Sequence, residues 1–141
     1  MTPELYWLAL TAIATTLMAV PYVLEGIFRL GMVRALGYSV DGSSGGFERP
    51  GETPAAWAVR AYRAHRNAVE NLVVFATLVL VAHFANLGGG IVAQAAEVYF
   101  FARLAHYIIY TLGLPILRTL VFFVALSAIG VIALALLGWI T

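Results

Sequence analysis

The chain has 141 residues, of which 62% are apolar and 11% charged, with a net charge of +1. A single domain of this length cannot bury so large an apolar excess in a soluble core, so lipid is the expected solvent. The chain has no cysteine, which excludes disulfides, thiolate metal sites and a cysteine nucleophile. No basic patch interleaved with aromatics suggests nucleic acid.

Four hydrophobic segments follow in order. The first runs from about 5 to 30, apolar as far as Val20, with a kink expected at Pro21. Glu4 stands where a signal peptide would be basic, so this segment reads as a retained helix. Residues 37–53, rich in Gly and Ser, read as a loop. The second segment, 54–86, is charged in its first third and apolar from Leu72 to Ala85. After a tight turn at Asn86 to Gly90, the third covers 91–114 and the fourth 115–140, with Pro115 suited to a first helical turn. About 20 apolar residues cross a bilayer. The expected architecture is therefore all-α, a single domain of four transmembrane helices running up and down.

All eight basic residues are arginine. Arg29, Arg34, Arg49, Arg60, Arg63 and Arg66 flank the first connection and Arg118 the third, while the second connection and both termini carry none. By the positive-inside rule both termini lie outside and the 31–53 loop is cytoplasmic. Trp7 and Trp139 then mark the outer interface and Trp57 the inner one. A bacterial inner membrane is the expected setting.

Chemistry concentrates on the second and third segments. Helical spacings of three, four and seven place Arg60, Arg63, Asn67, Glu70 and Asn71 on one stripe, with Arg66 about a quarter turn away. Arg60 and Arg63 suit lipid headgroups as well as they suit a site. Glu70 and Asn71 do not, because Glu70 lies roughly 24 Å below the outer face at about 1.5 Å per residue. That depth is inside a hydrocarbon core about 30 Å thick, where ionisable groups face a partner or a cavity. On the third segment Arg103, His106 and Tyr110 share a face, with His106 level with Glu70 and Arg118 just beyond. Two readings stand. One is a structural ion pair of Arg103 with Glu70. The other is an anion pocket, favoured by the surplus of Arg63, Arg66, Arg103 and Arg118 over Glu70, because guanidinium forks bind carboxylates. Glu97 lies off this face and receives no role. His83 lies far in depth from His106, which argues against a shared haem or metal ion.

The run RAYRAHRNAVENLVVF at 60–75 resembles the second-helix signature of the MAPEG family, the membrane-associated proteins in eicosanoid and glutathione metabolism. FARLAHYIIYTLGLPILRTL at 101–120 resembles the family's third-helix pattern of Arg, His and Tyr followed by an Arg opening helix four. The similarity covers about residues 55–125, and Asn67-x-x-Glu70-Asn71 looks closest to the microsomal glutathione transferases. The resemblance implies a homotrimer with glutathione as co-substrate, bound between subunits near the cytoplasmic face. It implies glutathione contacts from Arg63, Arg66, Asn67, Glu70, His106, Tyr110 and a helix-one arginine, Arg34 or Arg29. It assigns Arg118 to the thiolate as the catalytic residue, and leaves Asn71 and Arg103 as structural polar groups. No metal and no haem are implied.

The implied activity is a membrane-bound, glutathione-dependent transferase or peroxidase acting on a lipophilic electrophile or hydroperoxide. Two alternatives remain: a pseudo-enzyme of the same fold that only binds anions or lipid, and a small four-helix transporter. A transporter needs a central acid, for which Glu97 is the candidate, and the arginine surplus is wrong for cationic cargo.

Overall fold

The computed structural model describes residues 1–32 and 54–140. Arg34, Arg49 and the 37–53 loop reading lie outside the described residues. Five helices are present: α1 (Pro3–Leu17), α2 (Val20–Leu30), α3 (Ala56–Phe84), α4 (Gly90–Leu112) and α5 (Pro115–Leu136).

The first hydrophobic segment is one helical stretch, Pro3–Leu30, divided into α1 and α2 at Met18 and Ala19, where the kink expected from Pro21 falls. Proline has no N–H, so Pro21 cannot donate to the carbonyl of Leu17, and the ladder fails just upstream. The chain tightens there, with Ala19 N donating to Thr16 O at 3.2 Å. The carbonyl of Met18 accepts instead from the Tyr107 hydroxyl of α4, at 2.8 Å. Beyond the break, Tyr22 donates to or accepts from His65 Nδ1 of α3 at 2.7 Å, which ties α2 to α3. His65 is thus a partner within the bundle.

The other boundaries follow from glycine and proline. α4 begins after a turn in which Asn86 has φ 58°. It stops at Gly113, whose left-handed φ of 82° lets its N–H reach Ile109 O and Tyr110 O. α5 opens on Pro115 and closes at Leu136, four residues before the expected 140, because Gly138 also turns to positive φ, 73°.

Antiparallel neighbours are fixed by contacts at both ends of the bundle. Glu4 at the start of α1 meets His83 at the end of α3, 3.0 Å apart. Arg60 at the start of α3 donates to Thr111 O at the end of α4, 2.9 Å. Gly113 leaves room for that arginine, since a Cβ there would come within 3.2 Å of its Nε.

The interior is lined by small residues. Ala58, Ala61, Ala64 and Ala68 are buried along α3, Ala95, Ala96 and Ala102 along α4, and Ala125, Ala128 and Ala135 along α5. Small side chains let backbones approach, which is how helices associate in lipid, where no hydrophobic gain is available. Phe75 and Tyr99 stack at the centre, 3.9 Å between ring centroids. Apolar side chains also cover the outside: Ile116, Leu120, Phe123, Val124 and Leu126 of α5 are all exposed. Among the described residues three helical stretches are long and apolar enough to cross a membrane: Pro3–Leu30, Ala56–Phe84 and Pro115–Leu136. α4 carries Gln94, Glu97, Arg103 and His106, and these polar residues lower its mean hydropathy.

Candidate functional site

A pocket of about 350 Å³ is lined by Asn67 of α3, His106 and Tyr110 of α4, and Arg118, Thr119, Phe122 and Phe123 of α5. Four residues singled out by sequence therefore converge on one cavity. His106 and Tyr110 are one turn apart, edge to face at 5.6 Å. The αL turn at Gly113 and the immediate start of α5 at Pro115 swing Arg118 back over Tyr110. Its guanidinium carbon lies 4.5 Å from that ring centroid. The cation lies over the aromatic ring, and among the described residues no carboxylate pairs with its N–H groups.

Arg103 lies behind the pocket and is 3% exposed. Its Nε donates to the Tyr99 hydroxyl at 3.1 Å and one terminal nitrogen donates to Asn67 Oδ1 at 3.0 Å. It also lies 5.8 Å from the ring of Phe122, a pocket-lining residue. The pairing of Arg103 with Glu70 entertained from sequence is not formed. Glu70 instead pairs with Arg66, 3.7 Å away at i,i+4, and both side chains are largely exposed, 64% and 58%. The reason is angular. Residues four apart share a face more closely than residues three apart, so Arg66 and Glu70 turn outward together while Asn67 turns in.

The single stripe read from sequence is thus divided. Asn67 reaches the pocket, Arg63, Arg66 and Glu70 face away from the bundle, and Arg60 is occupied with Thr111. Asn71 donates to the Asn67 backbone carbonyl at 2.8 Å, a bond within its own helix. Among the described residues no carboxylate forms an ion pair with Arg103 or Arg118. Among the described residues Arg118 lines the pocket, Arg103 stands behind it, and no acid is part of the lining.

Sequence reasoning passed over a second polar cluster at the opposite end of the bundle. Glu4 is 2% exposed and pairs with His83, and its Oε2 is buried without a hydrogen-bond partner among the described residues. Gly88 packs so closely on this carboxylate that a Cβ would overlap it. A lone acid in the first turn of an apolar helix was the available signal. Among the described residues no three His, Cys, Asp or Glu side chains gather as a metal site would require.

An all-helical bundle with apolar outer faces, three of whose helical stretches are long and apolar enough to cross a membrane among the described residues, defines an integral membrane protein. A sequence model of the MAPEG family matches residues 5–138, nearly the whole chain, and the chain belongs to that family. Comparisons with curated proteins and with solved structures gave no match.

Proposed function

We propose that this protein is a membrane-bound glutathione-dependent transferase or peroxidase of the MAPEG family. The observation that carries the reading is the convergence of Asn67, His106, Tyr110 and Arg118 on one pocket, with Arg103 behind it and, among the described residues, no carboxylate paired with either arginine. Such a cavity favours an anion. Glutathione is anionic through two carboxylates, and its thiol becomes a nucleophile only as the thiolate. Arg118 is the group placed to favour that charge. The thiolate sulfur would form a bond to an electrophilic carbon while the leaving group departs with its electron pair. With a hydroperoxide, sulfur would take the terminal OH to become a sulfenic acid as the O–O bond breaks, and the departing alkoxide would take a proton from water to leave as the alcohol.

The full site in this reading is shared between subunits of a homotrimer. Arg63, Arg66 and Glu70 present polar groups on the outer surface of α3, at or near the level of the pocket. Ionisable groups exposed at membrane depth call for a partner, and a neighbouring copy holding glutathione would supply one. Four spans, both termini outside and a cytoplasmic connection between α2 and α3 complete the topology. The electrophile is lipophilic and arrives from the bilayer.

The test is direct. Purified protein in detergent is titrated with glutathione while the ultraviolet absorbance of the thiolate is followed. The expected result is saturable thiolate formation at neutral pH. Absence of both binding and thiolate would remove the reading. The mass of the detergent-solubilised assembly tests the trimer separately, and a stable monomer would exclude the shared site.

A further inference from the structure

Arg103 does not line the pocket, yet one of its bonds ends on a residue that does. A guanidinium has only donors. The atom of Asn67 that faces Arg103 must therefore be Oδ1, and the other end of the amide, the NH2 group, turns away from it. We propose that Arg103 is a positioning residue: it holds the Asn67 amide so that its NH2 donors are presented to an anionic oxygen or sulfur in the pocket.

The geometry around Arg103 is suited to that task. Its Nε is anchored on the Tyr99 hydroxyl, and the Tyr99 ring is stacked on Phe75 with 16° between planes. Both rings are fully buried. Asn67 is thus the last member of a packed series, Phe75 to Tyr99 to Arg103 to Asn67, with little rotational freedom. Asn71 uses the Asn67 backbone carbonyl and leaves its side chain alone. Without Arg103 the amide would be free to turn its carbonyl into the pocket, where an acceptor would repel an anion. The ligand's identity rests on the proposed glutathione reading. The orientation of Asn67 does not.

Two measurements decide it. The full chain contains three asparagines, Asn67, Asn71 and Asn86, so 15N-asparagine labelling in detergent gives three side-chain NH2 pairs, assigned by single Asn→Ser variants. The Asn67 pair is expected to be well dispersed in the wild type and to collapse toward that of exposed Asn86 in Arg103→Met. Arg103→Lys, which keeps a donor, should retain much of the dispersion. Tyr99→Phe, which keeps the guanidinium and the ring stack, should give an intermediate spectrum and serves if Arg103→Met does not fold. An Asn67 pair unmoved in these variants overturns the proposal.

The second measurement is a double-mutant cycle on glutathione Kd with Asn67→Ala and Arg103→Met. Arg103→Met is expected to weaken binding about tenfold, the scale of one hydrogen bond to a charged group. The double variant should bind no more weakly than Asn67→Ala alone. Losses that multiply would show Arg103 acting on the ligand by its own charge and would overturn the positioning role. If the wild type binds no glutathione, the functional reading fails while the amide spectrum still decides the role of Arg103.

Discussion

Replacing Arg118 with alanine removes the one guanidinium that lines the pocket among the described residues. A cavity of about 350 Å³ is roughly 9 Å across if spherical, so a bound sulfur lies between contact and about 8 Å from the guanidinium. At an effective dielectric of about 20, a unit charge pair is worth about 4 kcal/mol at 4 Å and about 2 kcal/mol at 8 Å. The smaller figure corresponds to about 1.5 pKa units. It would bring a thiol from about 8.5 to near 7, half of it thiolate at pH 7. Arg118→Ala should return the bound thiol to about 8.5 and leave about 3% thiolate at pH 7, a loss of roughly 15-fold. Because the bound thiol's pKa is depressed, the stabilised thiolate matters below the free value and ceases to matter above it. The kcat/KM deficit of the variant should therefore be full at and below neutrality and close as pH rises past about 9. The assay is kcat/KM with a lipophilic electrophile against pH, alongside the thiolate absorbance of the bound complex. A deficit of equal size at pH 7 and at pH 10 would refute thiolate stabilisation and leave Arg118 a binding residue only.

Three further perturbations test the frame around the site. His83→Ala strands the buried Glu4 carboxylate. It should lower stability by on the order of 2–3 kcal/mol, read as thermal unfolding in detergent; Glu4→Gln, which removes the buried charge, should cost less. Gly113→Ala forces a Cβ into the left-handed region and against Arg60. A loss of about 1–2 kcal/mol is expected, with Gly113→Asn losing less because Asn tolerates that conformation. Tyr107→Phe removes the donor to Met18 O. Hydrogen exchange should rise at residues 18–23, with a global loss of about 1 kcal/mol; unchanged exchange there would mean that the break at Met18 is held by other contacts.

The helices were legible because hydropathy and punctuation agree: Pro21, Gly90, Gly113 and Pro115 stand at or next to the ends the structure shows. The pocket was legible in part. His106, Tyr110 and Arg118 fall on one side of a turn whose geometry Gly113 and Pro115 announce, and Asn67 was on the expected face. The partner of Arg103 was not legible. Asn67 and Glu70 differ by about 60° around a helix, an angle that a sequence stripe blurs and that only packing resolves, inward for Asn67 and outward for Glu70. The Glu4–His83 pair joins residues 79 apart and leaves no local pattern at all.

The break at Met18 also has a mechanical consequence. Because Pro21 removes a rung between α1 and α2, side chains of other helices take hold at the joint: Tyr107 clamps it, His65 holds Tyr22, and Glu25 of α2 accepts from Ala55 N at 3.3 Å. Tyr107 is the immediate neighbour of His106. One turn of α4 therefore carries both the clamp on this joint and a wall of the pocket, so the path of the first span and the shape of the cavity are built on a single strut.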